Sequence, residues 1–237
     1  MNPKDESLLG ETVTALRGQL GENLFSCCVY GSVVRGNAIQ GVSDVNLLIV
    51  LGESDSAAHE KVALVLKERA NIDPFVLGRR GFERNVRAFA PKFASIRRNY
   101  RVLHGADPLA AMTIDPRHER FLCEQAVRNL RLRLVHAFVT RNERRSYAQF
   151  VVRNVTAVFV QFSEVLRLHG VAMPADFVAR VPVLAREFAV DAQVLTDLLA
   201  LKREPRRCHD DDEIGWHRRL LPAVEAVVRW IEAHWTA

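Results

Sequence analysis

Two short passages carry residue types that handle phosphate and metal ions. In the first, Val29-Tyr30-Gly31-Ser32-Val33-Val34-Arg35-Gly36, an apolar run ends in a Gly-Ser pair. A glycine at such a turn lets backbone N–H groups approach a phosphate closely, and a serine hydroxyl adds a donor at the start of a following helix. A Gly-Ser pair taken alone also describes an ordinary turn. In the second passage, Gly41-Val42-Ser43-Asp44-Val45-Asn46-Leu47-Leu48-Ile49-Val50, Asp44 and Asn46 stand two apart at the mouth of an apolar strand. Their side chains therefore leave the same face of a sheet. Two oxygen donors so placed can share a divalent ion, which phosphoryl transfer uses to neutralise developing charge and align the reacting oxygens. Taken singly, Asp44 and Asn46 are explained as strand-end caps; with Gly31-Ser32 a short loop upstream, the joint pattern favours an anion and metal site.

Other clusters are weaker. Between Arg79 and Arg101 stand Arg79, Arg80, Arg84, Arg87, Lys92, Arg97, Arg98 and Arg101 against the single acid Glu83, with Phe82, Phe89, Phe93 and Tyr100 interleaved. Such a mixture can follow a nucleic-acid backbone while stacking bases, so RNA is a partner to consider. Inward-packed aromatics beneath a solvated basic face explain it more simply. Arg131 with His136, and Arg203 with His209, loosely resemble the Arg-x(4-6)-His motif of HEPN ribonucleases, a match that an arginine-rich chain produces by chance. Cys208-His209-Asp210-Asp211-Asp212-Glu213 is contiguous, and contiguous ligands rarely converge on one ion; the acids suit the start of the helix that follows. His217 and His234 are expected on the surface of that last helix, and Trp216, Trp230 and Trp235 in its packing.

The elements that must position these residues follow from hydrophobic spacing. The first half reads as helix 5–20, strand 24–30, a loop, strand 45–51, helix 56–70, strand 73–77 and a further strand near 95–103. Strands 24–30 and 45–51 are almost wholly apolar, as strands covered on both faces are. From Pro116 onward apolar residues recur at helical spacing: Cys123, Val127, Leu130, Leu134 and Phe138; Val151, Val155, Val158, Phe162 and Val165; Leu220, Val224, Val227, Ile231 and Trp235. With shorter helices near 175–188 and 191–203 these form a bundle. The expected architecture is α+β, a mixed sheet with flanking helices over 1–112, followed by an all-α helical bundle over 113–237.

Composition sets outer limits. About half of the 237 residues are apolar and a quarter charged, as in globular proteins. No run is long enough to span a bilayer, and the first residues lack the basic and apolar regions of a secretory signal, which predicts a cytoplasmic protein with no membrane partner. Four cysteines without C-x-x-C spacing are expected to be free thiols. The net charge of +5 is carried mostly by arginine and is compatible with nucleotide or RNA, though a solvated arginine surface explains it equally well.

From Leu20 through Leu51, Gly31-Ser32 followed by Asp44-x-Asn46 resembles the nucleotidyltransferase superfamily of DNA polymerase beta and the aminoglycoside nucleotidyltransferases, whose pattern is Gly-Ser and then Asp-x-Asp on the next strand. The similarity covers residues 15 to 110, and Tyr100 to Leu109 looks like the closing segment of bacterial members, many of which carry a C-terminal helical domain. The resemblance implies transfer of a nucleoside monophosphate from a nucleoside triphosphate to an acceptor that the sequence does not name. Gly31, Ser32, Arg35 and Ser43 would bind nucleotide, and Asp44 and Asn46 would hold Mg²⁺.

The departures bear on chemistry. Asn46 stands where active members have a second aspartate, and an amide oxygen ligates a hard cation without bringing charge. The acid that activates the acceptor hydroxyl is expected on a later strand. Phe89-Ala90-Pro91-Lys92-Phe93-Ala94-Ser95-Ile96 resembles that strand but offers Lys92 and Ser95, so two of the three expected carboxylates are missing. Asp73, at the start of Asp73-Pro74-Phe75-Val76-Leu77, is the alternative third acid and second candidate catalytic residue beside Asp44; an Asp before Pro is also a routine turn opener. Two functions remain open: a transferase with a degenerate site, or a non-catalytic nucleotide-, RNA- or protein-binding module on the same fold.

Overall fold

A computed structural model describes residues 3–35, 45–204 and 213–235, and divides into two compact units, Met1–Asp115 and Pro116–Ala237. The first unit is built on a four-stranded sheet of order β3-β2-β1-β4, made of β1 (Leu24–Tyr30), β2 (Val45–Leu51), β3 (Ile72–Gly78) and β4 (Tyr100–Gly105). β1 runs antiparallel to both β2 and β4, while β2 and β3 are parallel and joined through helix α3 (Ser56–Leu66). The apolar composition of β1 and β2 is explained by this order: they are the two central strands and are buried on both faces. Pro74 sits on β3, an edge strand, where a missing N–H donor is tolerated.

One sheet face packs against α1 (Pro3–Leu20) and α3. Leu9, Leu16 and Leu20 of α1 and Ala58, Val62 and Val65 of α3 meet Cys27, Val29, Leu47, Ile49 and Ile72 there. The helix α3 begins where the Asp55 carboxylate accepts the Ala58 N–H at 2.8 Å. The opposite face packs against α4 (Phe82–Ala88) and α5 (Ala90–Arg98), with Phe93 and Ile96 fully buried against Cys28, Leu48 and Val50.

The segment 89–96, expected as a strand, is helical. Pro91 lies in the first turn of α5, where its missing N–H costs nothing, and the buried residues Ala90, Phe93 and Ile96 recur every third position rather than every second. The strand expected near 95–103 consequently begins only at Tyr100. It ends at Gly105, whose φ of +76° and a Cβ position only 2.0 Å from the Phe25 carbonyl oxygen admit no side chain. Helix α3 stops at Leu66, short of the expected residue 70.

The second unit contains α6 (Pro116–Val139), α7 (Tyr147–Leu168), α8 (Phe177–Phe188), α9 (Ala192–Arg203) and α10 (Glu213–His234) around one apolar core. The three long stripes read from the sequence are its lining: Val127, Leu134, Val155, Phe162, Val224 and Ile231 are all buried. Ser146, Asp176 and Asp191 cap α7, α8 and α9 through their side-chain oxygens. In this unit Glu119, Glu164 and Arg167 form a partly buried ionic cluster.

Candidate active site

At one end of the sheet, β1 finishes at Tyr30 while β2, β3 and β4 begin. The register places Asp73 beside Asn46, Asn46 beside Tyr30, and Tyr30 beside Tyr100 in a single row across all four strands. Residues directly opposite one another project to the same face. That face is the one covered by α4 and α5, because Cys28, Leu48, Phe75 and Val102, each two positions along from a member of the row, pack there. The strand starts are tied by the Val45 N–H donating to the Asn71 carbonyl at 2.8 Å. Asp73 is exposed, Asn46 half-buried and Tyr30 buried.

Gly31 turns the chain out of the row with φ +88°, and its N–H donates to the Asn99 carbonyl at 3.1 Å. A Cβ at this position would lie 3.3 Å from the Asn46 amide nitrogen, so the glycine is what allows Asn46 to lie against the turn. Ser32 opens the short helix α2 (Ser32–Arg35) directly after it. Ser43, Asp44 and the side chain of Arg35, expected at this site, lie outside the described residues.

Asp73 contributes to the electrostatics of two neighbours, Tyr30 and Lys92. Burial, and secondarily the Asp73 charge, push the Tyr30 hydroxyl up to about 12. Tyr30 therefore remains a neutral hydroxyl. The Lys92 ammonium lies 3.8 Å above the Phe75 ring, on the strand that carries Asp73. Lys92 is exposed as a residue, but its ammonium is partly withdrawn from water against the ring. That withdrawal lowers its pKa, and the Asp73 charge opposes the fall. The Tyr100 hydroxyl donates to Asp107 at 2.7 Å, and chiefly for that reason its pKa rises to about 12. Cys27, Cys28 and Cys123 are buried free thiols; burial pushes Cys28 up to about 11 and the other two to about 12, so none is a ready nucleophile.

The structure thus brings Asn46 and Asp73 together and adds Tyr30 and Lys92, which sequence reasoning did not assign to the site. Tyr30 was legible as the residue immediately before Gly31. Lys92 was read as occupying an acid's place on a strand, whereas it belongs to a helix laid over that face.

Elsewhere the expected features resolve into packing. Phe82 and Phe93 meet edge to face, with centroids 5.4 Å apart, within the basic segment 79–101, and Arg79 lies 4.5 Å over Phe25. Arg97 donates to the Met112 carbonyl and Arg101 pairs with Glu6. Phe89 alone of these aromatics is exposed. Arg131 pairs with Glu225, and His209 lies outside the described residues. Of the run 208–213 only Glu213 is described; it accepts the Ser146 hydroxyl and the Ala148 N–H, clasping the start of α7. His217, expected on the surface, instead stacks on Phe138 at 3.8 Å and meets the Tyr147 hydroxyl through Nδ1 at 3.1 Å, because Phe138 and Tyr147 present rings to that side of α10. Among the described residues, no group of three or more His, Cys, Asp or Glu side chains could hold a metal ion, and no helix is long and apolar enough to cross a membrane.

No family model matches the chain, and no curated protein matches its sequence. In structure it is similar to spectinomycin adenyltransferase AAD(9) from Enterococcus faecialis, solved with ATP and spectinomycin. The TM-score is 0.62 at 10% sequence identity, over 96% of this chain and 99% of that one. The chain has the nucleotidyltransferase fold, an α+β sheet unit followed by a helical unit.

Proposed function

We propose that the face bearing Asp73 and Asn46 binds a nucleoside triphosphate and transfers its nucleoside monophosphate to a hydroxyl-bearing acceptor. The register pairing of Asp73 with Asn46 carries this reading, because it puts an accessible carboxylate beside the Gly31 turn. The acceptor oxygen forms a bond to the α-phosphorus, the bond from that phosphorus to the bridging oxygen breaks, and pyrophosphate leaves with the electron pair. Asp73 takes the hydroxyl proton. Ser32 would offer its backbone and hydroxyl donors to phosphate beside the Gly31 turn, whose own N–H is held by Asn99, and Arg35 and Ser43 would join it by their places in the sequence.

The residues present fit a hard cation held by oxygen, since Asn46 and Asp73 offer one neutral and one charged donor on a common face and Asp44 is two positions from Asn46. Mg²⁺ bound there would supply charge neutralisation for the triphosphate. The similarity to a protein solved with ATP and spectinomycin supports ATP as donor and a small polyhydroxyl compound as acceptor.

The neutral Asn46 favours a second reading, a protein that binds nucleotide without turning it over. The two separate on one measurement: pyrophosphate release from labelled ATP, GTP, CTP or UTP with Mg²⁺ or Mn²⁺ and a panel of aminocyclitol acceptors. Release that disappears in Asp73→Asn establishes the transferase. Thermal stabilisation by nucleotide without release establishes the binding module, and neither effect removes both.

A further inference from the structure

Lys92 occupies an unusual place for a surface lysine. Its helix α5 turns Ala90, Phe93 and Ile96 into the core, and Lys92, beside Phe93, leans back over the sheet so that Nζ lies 3.8 Å above the centre of the Phe75 ring. Phe75 is two residues beyond Asp73 on the same face of β3, and its strand neighbour across the register is Leu48, two beyond Asn46. The ammonium is therefore parked next to the Asp73–Asn46 pair. The ring satisfies part of its charge but none of its three N–H donors. No hydrogen bond or ion pair joins it to another described residue, and although the ammonium is partly withdrawn from water against the ring, the residue as a whole is exposed. A cation held by an aromatic face, its donors unmet among the described residues, is arranged to receive an anion.

The charge inventory of the row points the same way. Asn46 contributes no charge, Asp73 contributes one negative charge, and Lys92 contributes one positive charge. Among the described residues, a polyanionic ligand approaching this side of the sheet meets one acid and one cation whose charges offset.

We propose that Lys92 is a phosphate-binding residue of this site, its ammonium donating to a non-bridging oxygen of the nucleoside triphosphate. This rests on the nucleotide-site reading above. Part of the counter-charge for the triphosphate is then built into the chain, so nucleotide affinity depends less on a divalent ion than the loss of a carboxylate at position 46 suggests.

The test is calorimetric titration of ATP and of adenosine into the full chain and its Lys92→Met, Lys92→Gln and Lys92→Arg variants, each with Mg²⁺ and in EDTA. A charge-assisted hydrogen bond corresponds to a loss of about ten- to a hundredfold in affinity. That loss is expected for ATP in Lys92→Met and Lys92→Gln under both conditions, with adenosine affinity unchanged and Lys92→Arg within a few-fold of the parent. Circular dichroism confirms folding, and the Gln variant preserves the polar head should Met perturb it. Unchanged ATP affinity in a folded neutral variant overturns the role of Lys92 and leaves the nucleotide site standing. An equal loss for adenosine overturns the phosphate assignment. A parent protein that binds no ATP in either condition overturns the site reading itself, and Lys92 with it.

Discussion

Asp73 on β3 stands directly across from Asn46 on β2, one strand spacing away on the same sheet face, although they are separated in the chain by a strand, a helix and its connections. A strand separation of about 4.8 Å puts an acid and an amide oxygen within reach of one cation. Each consequence for activity depends on that pairing.

Replacing Asp73 by Asn preserves shape and removes the proton acceptor. Turnover is expected to fall by about a hundred- to ten-thousandfold, the usual contribution of a general base, while nucleotide affinity changes only a few-fold. Single-turnover product formation at saturating nucleotide measures it, and an Asp73→Asn protein with near-parental turnover would exclude Asp73 as the base.

Replacing Asn46 by Asp restores a charged ligand. The Mg²⁺ concentration giving half-maximal nucleotide-dependent activity or stabilisation is expected to fall by about tenfold, because ligand charge is a main determinant of affinity for hard cations. A Mg²⁺ titration of both proteins decides the point; identical midpoints would place Asn46 outside the ion's reach.

Gly31→Ala forces a side chain into a left-handed conformation, at φ +88°, and against the Asn46 amide 3.3 Å away. The backbone cost is about 1–3 kcal/mol, readable in urea unfolding as a shift of midpoint with unchanged slope. Nucleotide affinity should fall in the same variant, since displacement of Asn46 disturbs the row; a destabilised protein with parental affinity would confine Gly31 to a folding role.

The His217 ring, packed against Phe138 and Tyr147, is held below its ordinary pKa of 6.5, first by burial and then by the Arg141 charge. A histidine with a depressed folded-state pKa binds protons less readily folded than unfolded. Its contribution is complete above the unfolded pKa and is lost as pH falls below about 6.5, until the folded ring is itself protonated. Urea midpoints measured between about pH 7 and pH 5 should therefore decline in the parent, and less steeply in His217→Phe, which retains the stack without the titrating nitrogen. Parallel declines would assign the acid sensitivity elsewhere.

Much of the fold was legible because its signals are local. The apolar runs 24–30 and 45–51 read as interior strands, the stripes after Pro116 read as helices, and Gly31-Ser32 marked a turn without reference to anything distant. The stretch 89–98 was not legible, because short apolar segments satisfy a strand or a helix about equally. Only the packing of Phe93 and Ile96 under the sheet selects the helix.

By itself the sequence determined most of the elements and the turn at Gly31. The tertiary structure decided which side chains meet there. Asp73 reads as either a third acid or a turn opener until the parallel pairing of β2 and β3 sets it against Asn46, and Lys92 reads as a lysine in an acid's place until α5 folds it over Phe75. Strand register and helix docking are long-range choices, fixed by burying both faces of the sheet at once, and no window of sequence contains both partners.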